Sequence, residues 1–373
     1  MAILRAMRGL IFGLLALLAV HAHAAEMPQT LALGSAAPDF KLRGVDDKTY
    51  RLKSFSSSKL LTIIFTCNHC PTAQAYEDRI KQLVDDYKAK GVAFVAINPN
   101  DPKSIRLNEL GYTDLSDSFD EMKTRATFKE FNFPYLDDGE NQRVSRAYGP
   151  VATPHVFVFD QARKLRYTGR IDDNERPEKV KSNDLRNALD DLLAAREVKV
   201  PQAKVFGCSV KWAGKKDAVK DYMKQVAEEP VVVEPVTEDG LKALRKNDSG
   251  NYRLINVWAT WCGVCVAEFP DLVTINRMYR HREFEFVTIA AHLAEDEQLV
   301  TKFLKKQQSS GKNFILSGTN VVAMIEKLDP EWTGALPFTM LINPKGEVVF
   351  KEEGEIEPLE LRRKILNAMG RVK

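Results

Sequence analysis

The sequence predicts an α/β protein made of two similar domains, each a mixed β-sheet flanked by helices. Apolar strands alternate with amphipathic helices, and a β-hairpin and a closing helix follow them. The same order of elements occurs twice, which indicates a duplicated fold rather than an array of short repeats. In each copy the first buried strand leads into a C-x-x-C pair, Cys67 with Cys70 and then Cys262 with Cys265. The 373 residues are enough for two ordinary domains.

The first copy begins with a short, continuously apolar strand at residues 61–66, which ends at Cys67. Pro71 suits the first turn of a helix, and apolar residues then recur at helical spacing. The remaining elements of this copy are a strand at 92–97, a hairpin of strands 155–160 and 164–171, and a closing helix at 184–195. We expect this first domain to span residues 25–212.

The second copy repeats this order after a charged segment with two prolines, residues 213–236, which is predicted to be a linker with one short helix. Its elements are a strand at 253–259, a helix at 268–279, a strand at 284–291, a hairpin of strands 338–342 and 347–350, and a helix at 357–369. We expect the second domain to span residues 237–373.

Residues 1–24 have the pattern of a secretory signal peptide. Arg5 and Arg8 form a basic start, an apolar run follows from residue 9 to residue 20, and Ala22-His23-Ala24 has the form of an A-x-A cleavage site. The apolar run is 12 residues long, whereas a membrane-spanning helix needs about 20. An uncleaved membrane anchor is the alternative. The pattern predicts a periplasmic protein with no stable membrane insertion after cleavage.

The charge balance and the cysteine count narrow the function. Lysine and arginine total 54 and the acidic residues 51, for a net charge of +3. This balance gives no reason to expect nucleic acid or an anionic membrane as a partner. The five cysteines are too few to staple a secreted protein of this length. Four of them form the two C-x-x-C pairs. We therefore interpret these pairs as redox-active, and expect hydrophobic cores rather than structural disulfides to stabilise the fold.

The position of each C-x-x-C pair, between a strand and a helix, suits thiol chemistry. Backbone N–H groups at a helix N-terminus stabilise a thiolate, and a thiolate is the nucleophile of disulfide exchange. The first cysteine of such a pair is normally the more exposed, and the second attacks the resulting mixed disulfide. We therefore expect Cys67 and Cys262 to attack, and Cys70 and Cys265 to resolve.

A proline precedes the hairpin in each copy, in Thr153-Pro154 and in Leu336-Pro337. In a thioredoxin fold a cis-proline at this place faces the C-x-x-C pair and offers backbone hydrogen bonds to an extended substrate. Ordinary trans prolines in loops are the alternative, because cis bonds are only about 5–6 % of X-Pro bonds. The matched placement in both copies favours two thioredoxin-like domains, with Pro154 and Pro337 in substrate-binding loops.

The stretches WATWCGVCVAEFP and LPFTMLINPKGEVV resemble the TlpA/ResA-type thioredoxin-like reductases of bacterial cell envelopes, over about residues 231–370. The resemblance implies that Asn256 replaces the buried Asp of cytosolic thioredoxin, and that Glu268 helps to move protons on and off the cysteines. It also implies a membrane thiol reductant as the electron donor. The alternative for Glu268 is a carboxylate on the surface of a helix.

Residues 31–212 resemble a second branch, the peroxiredoxin-like AhpC/TSA-related proteins of thioredoxin fold. The stretches that carry the resemblance are GSAAPDFKL, FTCNHCP, FNFPYL, YGPVATPHVFVFD, YTGRIDDN and GCSVKW. The resemblance implies a thioredoxin-like fold and an important role for Cys67.

Two alternatives to disulfide exchange concern the first pair. A peroxidase requires Pro-x-x-x-Thr/Ser-x-x-Cys, and neither Cys67 nor Cys70 ends that motif. A copper carrier or other metal-binding protein would use Cys67, His69, Cys70 and Cys208 as ligands. Only one ligand pair is present, and the adjacent His69 and Cys70 do not converge easily on one ion, so no metal is predicted.

A redox role is the simplest explanation for a histidine, His69, between the two cysteines of the first pair. A histidine at a helix start can stabilise the thiolate, which stabilises the reduced pair and makes the disulfide more oxidising, as in DsbA. A solvated His69 without redox effect is the alternative. The second pair has Gly263-Val264 between its cysteines, so Cys67–Cys70 is predicted to be the more oxidising disulfide.

We therefore predict a thiol-disulfide oxidoreductase that acts on protein thiols and disulfides without an organic cofactor or metal. Tethering would favour electron transfer between the domains by raising their effective concentration, and two fused domains with separate partners are the alternative. Cys208 is either a third thiol, which relays electrons or resolves Cys67, or a buried small residue. A non-catalytic peptide-binding module is the remaining alternative, and the intact C-x-x-C pairs count against it.

Overall fold

The computed structural model describes residues 28–371. The predicted signal peptide, residues 1–24, lies outside the described residues. Within the described range, no helix combines the length and the apolar character that crossing a membrane requires. The chain forms two mixed β-sheets with helices packed on them, which confirms the predicted α/β class.

A seven-stranded mixed sheet organises the first half of the chain. The strands of this half are β1 (Lys41–Gly44), β2 (Thr49–Arg51), β3 (Leu60–Phe65), β4 (Val92–Asn98), β5 (Tyr135–Asp137), β6 (Ala152–Thr153), β7 (His155–Phe159), β8 (Leu165–Gly169) and β9 (Cys208–Ser209). Its helices are α1 (Pro71–Lys88), α2 (Phe119–Phe128), α3 (Arg143–Tyr148) and α4 (Asp184–Leu193). The sheet order is β2-β1-β5-β4-β3-β7-β8, and β6 pairs separately with β9.

The predicted central strand and its helix position the first cysteine pair. All residues of β3 are buried, which explains why the strand is a continuous apolar run. It pairs in parallel with β4 and antiparallel with β7. The apolar spacing predicted for α1 is also confirmed, because Tyr76, Ile80, Leu83, Val84 and Tyr87 are all buried. The C-terminal end of β3 therefore delivers Cys67 to the edge of the sheet at which α1 begins.

The second half repeats the arrangement with a six-stranded sheet. Its strands are β10 (Val233–Val236), β11 (Tyr252–Trp258), β12 (Phe284–Leu293), β13 (Lys312–Leu316), β14 (Phe338–Ile342) and β15 (Val348–Glu353). The helices from residue 216 onwards are α5 (Lys216–Ala227), α6 (Glu238–Lys246), α7 (Gly263–Tyr279), α8 (Glu297–Gln307), α9 (Val321–Ile325) and α10 (Pro358–Met369). The sheet order is β10-β13-β12-β11-β14-β15, with β11 parallel to β12 and antiparallel to β14.

The predicted linker, residues 213–236, differs from the observed structure at its C-terminal end. It contains a short 3-10 helix at Ala213–Lys215 and the helix α5, but its last residues form β10. β10 pairs in parallel with β13, with Val236 opposite Leu316, so it is an edge strand of the second sheet. The second sheet therefore begins at residue 233, before the predicted boundary at 237. The charge and the prolines of this stretch are compatible with an edge strand, which needs fewer apolar residues than a central one.

A loop from the first half packs into the second half. Ile105 and Leu110 lie in the same apolar cluster as Leu272, Ile275 and Met278 of α7. The hydroxyl of Tyr279 donates to the carbonyl of Thr113 at 2.9 Å. Arg282 donates to the carbonyl of Gly111 at 2.8 Å. The C-terminal end of α7 is therefore the surface against which this loop docks.

Candidate functional site

The first C-x-x-C pair, called site one, lies between β3 and α1. Cys70 is the N-cap of α1, and its Sγ accepts the N–H of Ala73 at 3.4 Å. Pro71 follows in the first turn, as predicted. Cys67 and Cys70 are both free thiols, and they are 3 % and 0 % exposed. The geometry at the helix start matches the prediction, but Cys67 is much less accessible than an attacking cysteine was expected to be.

The predicted cis-proline loops are present in both halves. The peptide bonds Thr153-Pro154 and Leu336-Pro337 are both cis, which confirms the sequence prediction. In site one, the loop lies directly against the thiols. Thr153 Oγ1 is 3.1 Å from Cys67 Sγ, and Cys70 Sγ donates to the Thr153 carbonyl at 3.3 Å. Thr153 therefore contacts both cysteines of the pair.

His69 is buried, so the alternative of a solvated loop histidine is wrong. Its ring is 2 % exposed, and Nδ1 lies 2.6 Å from Asp117 Oδ2. The other carboxylate oxygen of Asp117 accepts the backbone N–H groups of Asn68 at 2.7 Å and His69 at 3.0 Å. Asn100 Nδ2 also donates to Asp117 Oδ2, at 2.8 Å. Asp117 thus fixes both the backbone and the ring between the two cysteines.

The His69–Asp117 pair shapes the electrostatics of site one. Burial alone would lower the pKa of His69, but the charge of Asp117 and its hydrogen bond outweigh burial and raise that pKa. Burial would conversely raise the pKa of Asp117, and His69 lowers it. A protonated His69 next to the thiols favours thiolate formation there.

The thiolate of site one is favoured at Cys70. Burial alone would raise the pKa of Cys70, but hydrogen bonds from Cys208 and Cys67, the charge of His69 and the N–H of Ala73 together lower it. Burial raises the pKa of Cys67, and Cys70 and Asp117 raise it further. This differs from the expected order, in which Cys67 carries the attacking thiolate. The sequence did not reveal that Cys208 packs against this pair, or that the N–H of Ala73 is directed at Cys70 Sγ.

A set of potential metal-ligand atoms also occurs here. Cys67, His69 and Asp117 offer atoms within 4.8 Å of one another. The set differs from the one considered from the sequence, because it contains Asp117 and lacks Cys70 and Cys208. The two Asp117 oxygens already accept from His69, Asn68 and Asn100. We therefore attribute the cluster to positioning of the thiol pair.

We expect His69→Asn to raise the pH midpoint of thiolate formation at site one by at least about 1 pH unit, because a protonated neighbour is lost. The ultraviolet absorbance of the thiolate would be followed against pH in reduced protein carrying Cys262→Ser and Cys265→Ser. His281→Asn, at an exposed position, is the matched control. An unchanged midpoint in His69→Asn would contradict the electrostatic role of this histidine.

The second C-x-x-C pair, called site two, is disulfide-bonded between Cys262 and Cys265. Cys262 is the N-cap of α7, and its Sγ accepts the N–H of Cys265 at 3.2 Å. The neighbouring side chains are open to solvent, since Trp261 is 69 % exposed and Val264 is exposed as well. Large apolar groups that remain in water beside a redox pair are suited to contact a partner protein.

Glu268 is buried below site two, so the alternative of a surface carboxylate is wrong. Asn256 Nδ2 donates to Glu268 Oε1 at 3.2 Å, and the backbone N–H of Ile356 donates to Oε2 at 3.2 Å. Burial raises the pKa of Glu268 to about 7, although these two hydrogen bonds oppose the shift. Cys265 and Glu268 are three residues apart on α7 and therefore lie on one face of the helix. A carboxyl group with this pKa can exchange protons near neutral pH.

Sequence reasoning missed two residues that hold the sites in place. One is Asp117, described above. It directly precedes Ser118, which forms a capping box with Glu121 at the start of α2, so the sequence did mark the place of Asp117 before a helix. The other is His292, whose Nε2 accepts the backbone N–H of Thr260 at 3.1 Å and whose Nδ1 lies 2.9 Å from Asp296 Oδ2. Because Nε2 is the acceptor, the hydrogen is on Nδ1. No local pattern links His292 to the turn before Cys262.

Two protein-family models match the chain. Residues 33–168 match the model described as AhpC/TSA family, and residues 226–367 match the model described as Redoxin. The matches fall on the two sheets and include both C-x-x-C pairs. They agree with the two resemblances derived from the sequence.

Curated relatives and solved structures give further similarities. The chain is 30 % identical to the thiol-disulfide oxidoreductase ResA of Bacillus cereus over 31 % of this chain and 63 % of the relative. It is 37 % identical to ResA of Bacillus subtilis over 26 % of this chain and 49 % of the relative. The chain therefore spans just under two thirds of the length of the first relative and about half of the second.

Among solved structures, a hypothetical protein from Sinorhizobium meliloti is 32 % identical, with 50 % of this chain and 97 % of that chain covered and a TM-score of 0.44. An uncharacterised conserved protein from Geobacillus kaustophilus is 39 % identical, with 50 % and 94 % covered and a TM-score of 0.44.

Proposed function

Because the chain is a tandem thioredoxin-like protein with two redoxin-family domains, we propose that it is a thiol-disulfide oxidoreductase of the cell envelope whose site two exchanges disulfides with protein substrates. The chemistry would proceed through a mixed disulfide at Cys262 that Cys265 resolves. The cysteines carry both electrons, so this exchange requires no organic cofactor or metal.

The observation that carries this proposal is the difference in access between the two sites. At site two, Trp261 and Val264 are exposed beside the disulfide. Within residues 28–371, no strand pairs with Leu336, the residue before the cis-proline. That backbone edge is available to an extended substrate. At site one the corresponding edge is covered, because β9 pairs with β6.

The arrangement of the halves favours separate partners for the two sites. Cys262 caps the N-terminus of α7, whereas Tyr279 at its C-terminus contacts the first half of the chain. At 1.5 Å per residue the two ends of α7 are about 25 Å apart. Cys262 therefore lies about one helix length from this contact with the first half, and we propose that each pair exchanges with its own partner.

The envelope location rests on the predicted signal peptide in residues 1–24. Disulfide chemistry suits an oxidising compartment. A membrane thiol reductant as the donor for site two is proposed by analogy with the TlpA/ResA-type proteins. The difference in potential predicted from His69 is supported by its buried pair with Asp117, so we propose that Cys67–Cys70 is the more oxidising disulfide.

Insulin reduction by the full chain with dithiothreitol tests the function. We expect Cys262→Ser to lower the catalysed rate by at least about 100-fold, because it removes the attacking thiol of the accessible site. We expect Cys67→Ser to leave the rate within about twofold, because Cys67 is only 3 % exposed.

Three outcomes would contradict parts of this assignment. Wild-type protein without insulin reduction would contradict the proposed activity. A full loss of activity in Cys67→Ser with normal activity in Cys262→Ser would assign the substrate exchange to site one instead. Consumption of hydrogen peroxide that depends on Cys67 would favour the peroxidase alternative.

A further inference from the structure

A two-residue strand of the chain itself lies on the cis-proline loop of site one. β9 runs antiparallel to β6, and Cys208 stands opposite Thr153, the residue before cis-Pro154. This is the backbone edge on which a thioredoxin-like domain binds an extended substrate. We call residues 207–213 the strap. Its first part therefore occupies the position of a substrate peptide.

The strap is fitted closely into this position. A Cβ atom at Gly207 would lie 2.1 Å from the carbonyl oxygen of Thr153, and Gly207 has a φ of +139°, so only glycine suits the close approach. Further along, the N–H of Lys211 donates to Asn100 Oδ1 at 2.8 Å. Lys211 Nζ lies 2.6 Å from Glu109 Oε1 in a mostly buried ion pair. The strap is thus held on both sides of Cys208.

Three thiols meet where the strap crosses site one. Cys67 and Cys70 belong to one buried cluster, and Cys208 packs against it. Thr153, which stands opposite Cys208, contacts Cys67 Sγ at 3.1 Å and Cys70 Sγ at 3.3 Å. The pKa of Cys208 is raised, chiefly by the neighbouring Cys70. Cys67 and Cys70 are buried, and Cys208 is only partly buried. Cys208 is therefore the thiol of this cluster that solvent and a partner reach first.

We propose that the strap is a built-in substrate of site one, and that Cys208 forms a disulfide with Cys70. The inference rests on the proposed thiol–disulfide chemistry and extends it to a third cysteine. In an oxidised Cys67–Cys70 pair, the thiolate of Cys208 attacks Cys70 Sγ. The Cys70–Cys208 bond forms, the Cys67–Cys70 bond breaks, and Cys67 leaves as a thiolate that takes up the proton lost by Cys208. The step conserves electrons and needs no external oxidant.

The reverse order gives a route for a partner disulfide. The partner forms a mixed disulfide with Cys208 and releases its first thiolate. Cys70 then attacks Cys208 Sγ and releases the second thiolate, and Cys67 finally attacks Cys70 Sγ and frees Cys208. Two electrons pass from the buried pair to the partner, although neither Cys67 nor Cys70 meets it directly.

Disulfide mapping in the full chain tests the pairing. Tryptic cleavage places Cys67 and Cys70 on peptide 60–79 and Cys208 on peptide 205–211. In native Cys67→Ser protein, oxidised glutathione would join Cys70 to Cys208 and be converted into two molecules of glutathione. We expect the joined peptides in most molecules of Cys67→Ser, and at least about tenfold less in Cys70→Ser, where only Cys67 remains to react.

A second part of the experiment tests whether the strap covers the thiols of site one. Gly207→Ala should displace the strap and speed alkylation of Cys67 and Cys70 in reduced protein by at least about tenfold. Gly214→Ala is the matched control, since a Cβ there meets nothing within 4 Å. Unchanged alkylation in a folded Gly207→Ala protein would overturn the inference that the strap covers the site.

The inference and the proposed function fail in different ways. Absence of the joined peptides in Cys67→Ser, or equal amounts in Cys70→Ser, would overturn the pairing of Cys70 with Cys208, while insulin reduction by the wild type would still support the function of site two. Joined peptides without any insulin reduction would instead overturn the function proposed for site two.

Discussion

Replacing Asp114 with alanine is expected to lower the free energy of unfolding by about 3–5 kcal/mol, the range for removing one partner of a buried ion pair. Asp114 is fully buried, and its carboxylate accepts from Arg125 at 3.2 Å, Arg363 at 3.2 Å and Arg371 at 2.7 Å. Burial alone would raise the pKa of Asp114, but the hydrogen bond and charge of Arg371 and the charge of Arg125 lower it. Without this carboxylate, three guanidinium groups lose a shared counter-charge.

Urea unfolding of the full chain at neutral pH measures this effect. Asp78→Ala is the matched control, because Asp78 forms a solvent-exposed ion pair with Lys129 and should change stability by less than about 1 kcal/mol. A loss below about 1 kcal/mol in Asp114→Ala would show that the cluster contributes little. The lowered pKa also fixes the pH dependence: the stabilisation is complete above the usual aspartate value of 3.8 and is lost as the pH falls through the lower folded-state pKa.

The position of Asp114 links this stability to site one. The preceding residue, Thr113, accepts from Tyr279 through its carbonyl and donates through its hydroxyl to the carbonyl of Asn68 at 3.2 Å. Three residues later, Asp117 holds His69. One loop therefore contacts the second half of the chain and also positions the residues between the first two cysteines. Loosening the interface should disturb site one before it disturbs site two.

Periodicity and C-x-x-C position predicted the main architecture of both halves. β3 and α1 follow directly from an apolar run, a helix-starting proline and residues at helical spacing. These signals lie within single segments of the chain, because a strand or helix that is buried on a sheet must place its apolar residues at the spacing of that element. The same reason made the four paired cysteines and the two cis-prolines predictable. Each cysteine pair lies between a buried strand and a helix, and each proline directly precedes a hairpin strand.

The missed features depend on the path of loops and on edge pairing. The loop that contains Asp117 has several acidic residues and no period, and which of them meets His69 depends on how the loop crosses the sheet edge. β9 has only two residues, and its pairing with β6 brings Cys208 to Thr153 across a separation that no sequence pattern encodes. β10 contains a proline and a glutamate, so it resembles a linker until its pairing with β13 is known.

We expect Glu268→Gln to slow the reduction of the Cys262–Cys265 disulfide by about 100-fold at neutral pH, the lower end of what a positioned acid or base contributes. Burial raises the pKa of Glu268 to about 7, so the side chain exists in both protonation states at this pH. Glutamine keeps the shape and the bond from Asn256 but cannot exchange a proton. The measurement is the rate at which dithiothreitol frees the two thiols of tryptic peptide 254–277, followed by quenched alkylation.

A pH series separates proton transfer from a structural role of Glu268. The wild-type rate should change with a midpoint near pH 7, and this midpoint should be absent in Glu268→Gln, whereas the exposed control Glu326→Gln should keep it. Stability should respond as well, because native Glu268 keeps its proton up to about pH 7 while an unfolded glutamate loses it near 4.5. The native state then binds more protons in this interval, so the stabilisation present below pH 4.5 is lost as the pH rises through 7, and Glu268→Gln removes this slope. A variant with an unchanged pH midpoint would show that another group handles the proton of site two.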